Sequence, residues 1–128
     1  MTDVEHQEIV DSSKPASLGA NRRTMLLIAA MVVLLLAPFA NKAFHLDDPF
    51  YLWTGQQILE DPLDFYGYEI NWTGMNMPAS TENKNPPLVS YFMAFAGLLF
   101  GWSELSMHVA FMVPSIGAAL GSYLIALR

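Results

Sequence analysis

The chain has 128 residues, of which 53% are apolar and only 14% are charged, whereas roughly a quarter of the residues are charged in an ordinary soluble domain. This composition disfavours a soluble globule and favours a membrane protein with polar segments. The net charge of −6, with six basic residues in total, excludes a basic surface for nucleic acid. The absence of cysteine excludes disulfides, a thiolate nucleophile and cysteine-based metal centres.

The N-terminal part of the chain changes abruptly from polar to apolar. Residues 1–23 lack an apolar period, which predicts a disordered tail. Residues 24–44 carry one charge, Lys42, whose side chain can extend towards water, and they are predicted to form a first transmembrane helix. The pair Arg22 and Arg23 places the tail in the cytoplasm by the positive-inside bias. A twin-arginine signal or a cleavable signal peptide is the alternative, disfavoured by the lack of a clear cleavage site.

Residues 45–104 are predicted to form an extracytoplasmic loop. Seven acidic residues and one basic residue, Lys84, lie between positions 45 and 85, which fits the outer side of a membrane. Thirteen of the sixteen aromatic residues lie between Phe44 and Trp102. Such density is typical of an interfacial belt, and a sugar-stacking or lipid-packing surface is the functional alternative.

One helix is predicted near the start of this loop. Asp48 followed by Pro49 indicates a helix over about 49–60, with the aspartate as its cap and the proline at its first position. Residues 65–78 show no helical or strand period. We expect them to form an ordered irregular loop.

Two apolar segments complete the chain. Residues 88–100 predict a helix of about 20 Å, which is too short to span a bilayer and is expected to lie beside the membrane on its outer side. Residues 105–127 carry no formal charge and predict a second transmembrane helix. Arg128 favours a cytoplasmic end, although it would lie outside if the helix over 88–100 also crossed. The predicted fold is therefore an all-α membrane protein with two transmembrane helices.

Two groups of residues are candidates for chemistry. Asp47 and Asp48 lie just after the first predicted span, where a carboxylate suits a general base, although a helix cap with a solvated neighbour is the simpler interpretation. Lys84 and Asn85 precede a helix that begins with two prolines. Helix N-termini attract anions such as a lipid phosphate, and the simpler interpretation is a helix start with a solvated lysine.

The second predicted span carries features of packing rather than of catalysis. Gly117 and Gly121 form a small-xxx-small pattern that permits close approach of another helix. His108 and Pro114 are expected to form a hydrogen bond and a kink, because no second histidine stands at metal-ligand spacing. No metal site and no cofactor are predicted, and a divalent metal stays open.

The order of these features resembles the N-terminal part of a polytopic glycosyltransferase of the GT-C class, the group that contains protein O-mannosyltransferases and the aminoarabinose transferases of lipid A. The resemblance covers about residues 25–128. The matching pieces are the acidic pair after the first span, a helix ending at Ile58-Leu59, Phe65-Tyr66-Gly67, Asn85-Pro86-Pro87-Leu88 with Tyr91, and Leu99-Phe100-Gly101-Trp102-Ser103-Glu104.

The resemblance implies a polyprenyl-phosphate-linked sugar as donor, and a glycan, lipid or protein as acceptor, at the outer side of the bacterial cytoplasmic membrane. It implies that Asp47 is the catalytic base and that Asp48 orients it. It also implies that Lys84, Asn85 and Tyr91 contact the substrate or its lipid phosphate. Enzymes of this class have many more spans, so we expect the chain to be a fragment.

A protein without catalytic activity is the alternative. If two or three segments cross the bilayer, fewer than half of the 128 residues remain to build a site. A small two-span subunit would assemble with a partner through Gly117, Gly121 and the uncharged helix over 88–100.

Overall fold

The computed structural model describes residues 18–128, and residues 1–17 of the predicted disordered tail (1–23) lie outside this part of the chain. The described chain is mostly helical, with one small β-hairpin that the all-α prediction lacked. Its elements are α1 (Leu18–Leu36), a 3-10 helix (Ala37–Phe39), α2 (Asp48–Glu60), β1 (Glu69–Asn71), β2 (Asn76–Pro78), α3 (Ala79–Glu82), α4 (Leu88–Phe100) and α5 (Glu104–Ala126).

Two stretches are long and apolar enough to cross a membrane, Asn21–Phe39 and Glu104–Ala126. The second agrees with the predicted span over 105–127 to within one residue at each end. The first lies earlier than the predicted 24–44, because α1 already begins at Leu18 and so includes the last residues of the predicted tail.

The first helix also ends earlier than predicted, and Pro38 accounts for this. A proline has no N–H for the α-helical hydrogen bond and its ring clashes with the preceding turn. The chain tightens into the 3-10 helix over Ala37–Phe39 and then leaves the helical conformation, with Lys42 exposed. The predicted extension to Phe44 was therefore wrong.

Helices α1 and α5 pack against each other in antiparallel orientation. Near the start of α1, the Asn21 side-chain oxygen accepts a hydrogen bond of 3.5 Å from the Tyr123 hydroxyl near the end of α5. At the other end of the pair, Leu36 and Phe39 line a small cavity with His108. The arginines at the start of α1 and at the chain's last residue thus lie at one end of the pair, and residues 40–103 lie at the other.

Helix α4 packs on α2 through its small side chains. Ser90, Ala94 and Gly97 are buried, and Met93 is the one large apolar residue of α4 that is buried with them, whereas most of the others are exposed. The indole of Trp102 fills the space between the helices: a Cβ built on Gly97 would lie 2.5 Å from Trp102 Cε2, and one built on Gly55 3.2 Å from Trp102 Cη2. The chain therefore supplies α4 with a protein partner on one side.

A two-stranded antiparallel hairpin lies within the region predicted to be an irregular loop. Strands β1 and β2 pair Ile70 with Met77, and Gly74 adopts a φ of +94° in the turn between them. Ile70 is buried together with Phe50 and Ala79, which attaches the hairpin to α2. The prediction for 65–78 was wrong over these strands, because three residues are too few to show a period of two.

A buried polar group joins α2 to the hairpin and to the segment before α4. Thr54 is fully buried, and its hydroxyl lies 2.9 Å from the Tyr68 hydroxyl. The Asn83 amide donates to the same Thr54 oxygen at 3.4 Å. Burial raises the pKa of Tyr68 above its usual 10.0, and the hydrogen bond to Thr54 partly opposes this rise.

We expect Gly97→Ala to lower the free energy of unfolding by roughly 1–3 kcal/mol, because the new methyl group overlaps the Trp102 ring and the packed helices cannot absorb it without shifting. Gly117→Ala is the matched control, since a Cβ there meets nothing within 4 Å. Thermal unfolding in detergent micelles measures both variants. Equal effects of the two substitutions would contradict the packing described.

We expect Tyr68→Phe to lower the free energy of unfolding by about 1 kcal/mol at neutral pH, because Thr54 loses its shorter hydrogen bond. The raised pKa of Tyr68 stabilises the fold fully below pH 10.0, and this contribution is lost as the pH rises through the folded-state pKa. As the pH rises through the folded-state pKa of Tyr68, the difference in free energy of unfolding between wild type and Tyr68→Phe should therefore narrow in chemical unfolding measurements. A difference that stays constant across this range would rule out the role given to the Tyr68 hydroxyl.

Candidate functional site

The acidic pair lies in a tight turn between the first membrane-length helix and α2. The amide of Asp48 donates to the His45 carbonyl at 3.0 Å, and the His45 amide donates to Asp48 Oδ2 at 2.8 Å. Between them Leu46 has a φ of +41°, a left-handed conformation that is strained for a leucine. These two hydrogen bonds fix the direction in which the chain enters α2.

The two aspartates differ in what holds them. The helix begins one residue before the predicted start, so Asp47 occupies the cap position and Asp48 the first turn. The Asp47 side chain caps no helical amide, and the carboxylate of Asp48 binds the His45 amide instead of the helix. Asp48 is half-buried and Asp47 is exposed. The turn therefore presents Asp47 outward and uses Asp48 to stabilise itself.

A histidine from α5 lies at the same place. Asp48, Phe44 and His108 line a cavity of about 110 Å³ between the turn, α4 and α5, and the Phe44 and His108 rings stack with centroids 6.0 Å apart. His108 Nδ1 lies 2.7 Å from the Glu104 carbonyl oxygen. Because a carbonyl only accepts, Nδ1 is the donor in this contact. The expected hydrogen bond of His108 is thus present, but its position beside Asp48 was not predicted.

The second candidate group lies before and within α4. The Lys84 ammonium donates to the Ser80 carbonyl at 2.9 Å and is exposed. The backbone N–H of Asn85 donates to the Asn83 side-chain oxygen at 3.0 Å. The Tyr91 hydroxyl donates to the Pro62 carbonyl. These hydrogen bonds stabilise the segment before α4 and join α4 to the segment after α2, and the Lys84 charge is exposed.

Tyr66 contributes a further hydrogen bond that the sequence did not indicate. Its hydroxyl donates to the Asn85 carbonyl. The pKa of Tyr66 is raised, mainly by burial and to a smaller extent by the nearby Tyr68 and Tyr51. A raised pKa keeps the hydroxyl protonated, so it remains a donor to Asn85 over the whole ordinary pH range.

The structure distributes the two candidate groups along α2 instead of gathering them at one point. Asp48 begins this helix, whereas Tyr91 reaches Pro62, just beyond its end. At 1.5 Å per residue, the thirteen residues of α2 separate these ends by about 20 Å. Lys84 follows Asn83, which contacts Thr54 midway along α2. A ligand that touches both groups has to lie along the helix.

Metal-ligating side chains are not clustered in the described part of the chain. Within residues 18–128, no three or more histidine or carboxylate side chains stand close enough together to hold a metal ion. The residues at the acidic turn that can transfer protons or form hydrogen bonds are Asp47, Asp48 and His108.

The two sides of the site are distinct, with an acidic turn beside the membrane-length helices and a lysine-containing segment further along α2. No protein-family model matches the chain, and no curated protein and no solved structure matches it.

Proposed function

We propose that the chain is the N-terminal portion of a membrane glycosyltransferase that moves a sugar from a polyprenyl-phosphate carrier to an acceptor on the outer side of the bacterial cytoplasmic membrane. The observation that carries the proposal is the exposed carboxylate of Asp47, fixed in a strained turn directly between a membrane-length helix and α2. A carboxylate at this boundary can meet a donor whose lipid tail stays in the bilayer.

The antiparallel pair of α1 and α5 supports a two-span topology. The end of α1 and the start of α5 lie on the same side of the pair. The segment that connects them therefore begins and ends on that side. A third crossing by α4 would reverse one of these ends, and its thirteen residues, about 20 Å, are too few to span. We therefore place residues 40–103 outside and both ends of the described chain in the cytoplasm.

The charges agree with this orientation. Arg22 and Arg23 are exposed near the start of α1, and Arg128 follows the end of α5, so the basic residues flank the two spans on the proposed cytoplasmic side. The proposed outer segment contains the carboxylates described above and carries a strong negative charge.

The exposed face of α4 supports a position at the membrane surface. Most of its large apolar residues are open on the side away from α2, and they continue into an apolar groove that α4 forms with the start of α5. The groove contains Phe100, Leu105, Val109 and Val113. Lipid chains would cover this continuous apolar surface if α4 lies along the bilayer.

In the proposed reaction Asp47 acts as a general base. An acceptor hydroxyl attacks the anomeric carbon of the donor, and its proton passes to the Asp47 carboxylate. The bond from the anomeric carbon to the phosphate oxygen breaks, and polyprenyl phosphate leaves with the electron pair. Asp48, held by the His45 amide, keeps Asp47 in position, and a positioned base contributes about 10²- to 10⁴-fold in rate.

Contacts to the carrier are proposed at the second candidate group. Lys84 supplies an exposed positive charge for the phosphate, and Asn85 and Tyr91 lie on the same segment and helix. Since these residues stand along α2 from the acidic pair, the donor would lie along this helix, with its phosphate nearer to Lys84 and its sugar nearer to Asp47.

A small two-span assembly subunit without catalytic activity is the second candidate. Cβ atoms built on Gly117 and Gly121 meet nothing within 4 Å. The close helix approach that this pattern permits is therefore not made within the described chain, and a helix of another protein would fit there.

For the topology, we expect a cysteine placed at Ser80, which is exposed, to react with a membrane-impermeant maleimide in intact cells. A cysteine at Ser12, outside the described residues, should react only after the membrane is opened. The absence of native cysteine removes any background labelling. The reverse pattern would contradict the proposed orientation.

For the chemistry, we expect Asp47→Asn to reduce sugar transfer from a polyprenyl-phosphate donor by at least about 10²-fold in membranes that contain the complete gene product, because the amide cannot accept the proton. Asp48→Asn should reduce it less, since an amide oxygen still accepts from His45. Asp61→Asn is the matched control at the far end of α2, where the carboxylate only accepts two backbone amides. Near-normal transfer by Asp47→Asn would remove the base from the proposal.

A further inference from the structure

A polar cavity lies on the side of α2 that faces the hairpin. It has a volume of about 370 Å³, within the range of about 300–1,000 Å³ that is usual for small-molecule sites. One wall is a single face of α2, on which Trp53, Gln56, Gln57 and Glu60 recur at the spacing i, i+3, i+4 and i+7. The other wall is Tyr68 and strand β1.

The aromatic rings of this cavity are held in place before any ligand arrives. Trp53 is 41% exposed and meets the Phe50 ring edge-on, with centroids 6.5 Å apart and planes at 75°. The Tyr68 hydroxyl is fixed by Thr54, which leaves its ring at the cavity wall. Rigid aromatic surfaces bind the apolar C–H faces of flat ligands with little loss of side-chain entropy.

The polar groups offer both donors and acceptors. Gln57 donates one N–H to the Asp64 carbonyl at 3.1 Å, which orients its amide and leaves the carbonyl oxygen to accept. Gln56 is exposed and offers a full amide, and Glu60 and Glu69 offer carboxylate acceptors. Hydroxyl groups, each of which is donor and acceptor, match this set.

The charge of the cavity restricts its ligand. Glu60 and Glu69 are two negative charges on facing walls, and like charges disfavour a phosphate or carboxylate at this place. A ligand that presents an apolar face to Trp53, hydroxyl groups to the amides and no negative charge is a neutral saccharide.

We propose that this cavity binds a neutral saccharide. The binding itself stands on the cavity alone, and only the identification of that saccharide with the acceptor, as opposed to the phosphate-linked donor, rests on the proposed function. The ligand's ring stacks on Trp53, and its hydroxyl groups bind Gln56, Gln57 and Glu60.

The test uses the full chain in lipid nanodiscs and an immobilised panel of neutral oligosaccharides of glucose, mannose and N-acetylglucosamine, each beside a phosphorylated counterpart. We expect binding of at least one neutral oligosaccharide and a loss of about tenfold or more in affinity for Trp53→Ala. Phe95→Ala is the matched control, because Phe95 is an exposed aromatic residue (60%) that does not line the cavity, and it should change binding by less than about twofold. Gln56→Ala, an exposed position that cannot disturb the core, should also weaken binding.

A second arm tests the charge. Replacing both Glu60 and Glu69 by glutamine should improve binding of the phosphorylated oligosaccharides relative to their neutral counterparts. The proposal is overturned if wild type binds no neutral oligosaccharide, or if Trp53→Ala and Gln56→Ala both bind as well as Phe95→Ala. Binding of a neutral oligosaccharide by wild type, together with near-normal transfer by Asp47→Asn, would sustain the cavity proposal and remove the transfer proposal, so the two failures give different results.

Discussion

The contact of Trp102 with two glycines fixes how α2 packs on α4, and the other parts of the segment between α1 and α5 are attached to these two helices. Gly55 and Gly97 leave no side-chain atoms where the indole lies, and any Cβ there would overlap it or touch it closely. The ring therefore holds α2 against α4, and the short turn after α4 ties both to α5. Since α5 packs along α1, the acidic turn and the cavity on α2 have fixed positions relative to the membrane-length helices.

The sequence predicted the helices whose ends carry strong local signals. Ser103 caps α5 by accepting from the Ser106 amide, and Gly101, with a φ of +82°, ends α4, so both helices agree with their predicted bounds. The predicted end of α1 was wrong, because the apolar composition favours a longer helix whereas Pro38 restricts the backbone and ends it. The hairpin was missed because its strands are stabilised by contacts to α2, and not by any pattern within three residues.

The candidate site was predictable only where its residues are neighbours in the sequence. Adjacent residues such as Asp47 and Asp48 are recognisable in a sequence, and their place after the first span followed from hydropathy. The approach of His108 to Asp48, and of Tyr68 to the face that carries Trp53, joins residues that are distant along the chain. The polar face of α2 at i, i+3, i+4 and i+7 was the available signal, and the presence of a tryptophan in it is what distinguishes it from an ordinary solvated face.

One helix thus carries both the acidic turn and the polar cavity, which fixes the distance between them. Asp47 and Trp53 are six residues apart, which corresponds to about 9 Å along the axis of α2, whereas Glu60 lies about 20 Å from Asp47. Trp53 is therefore the end of the cavity nearer to Asp47 along the helix axis, and in the proposed reaction the reacting hydroxyl of the acceptor would lie beyond that end. In the proposed reaction, the negative charges of Glu60 and Glu69 would disfavour the donor phosphate in the cavity and would so keep the two substrates apart.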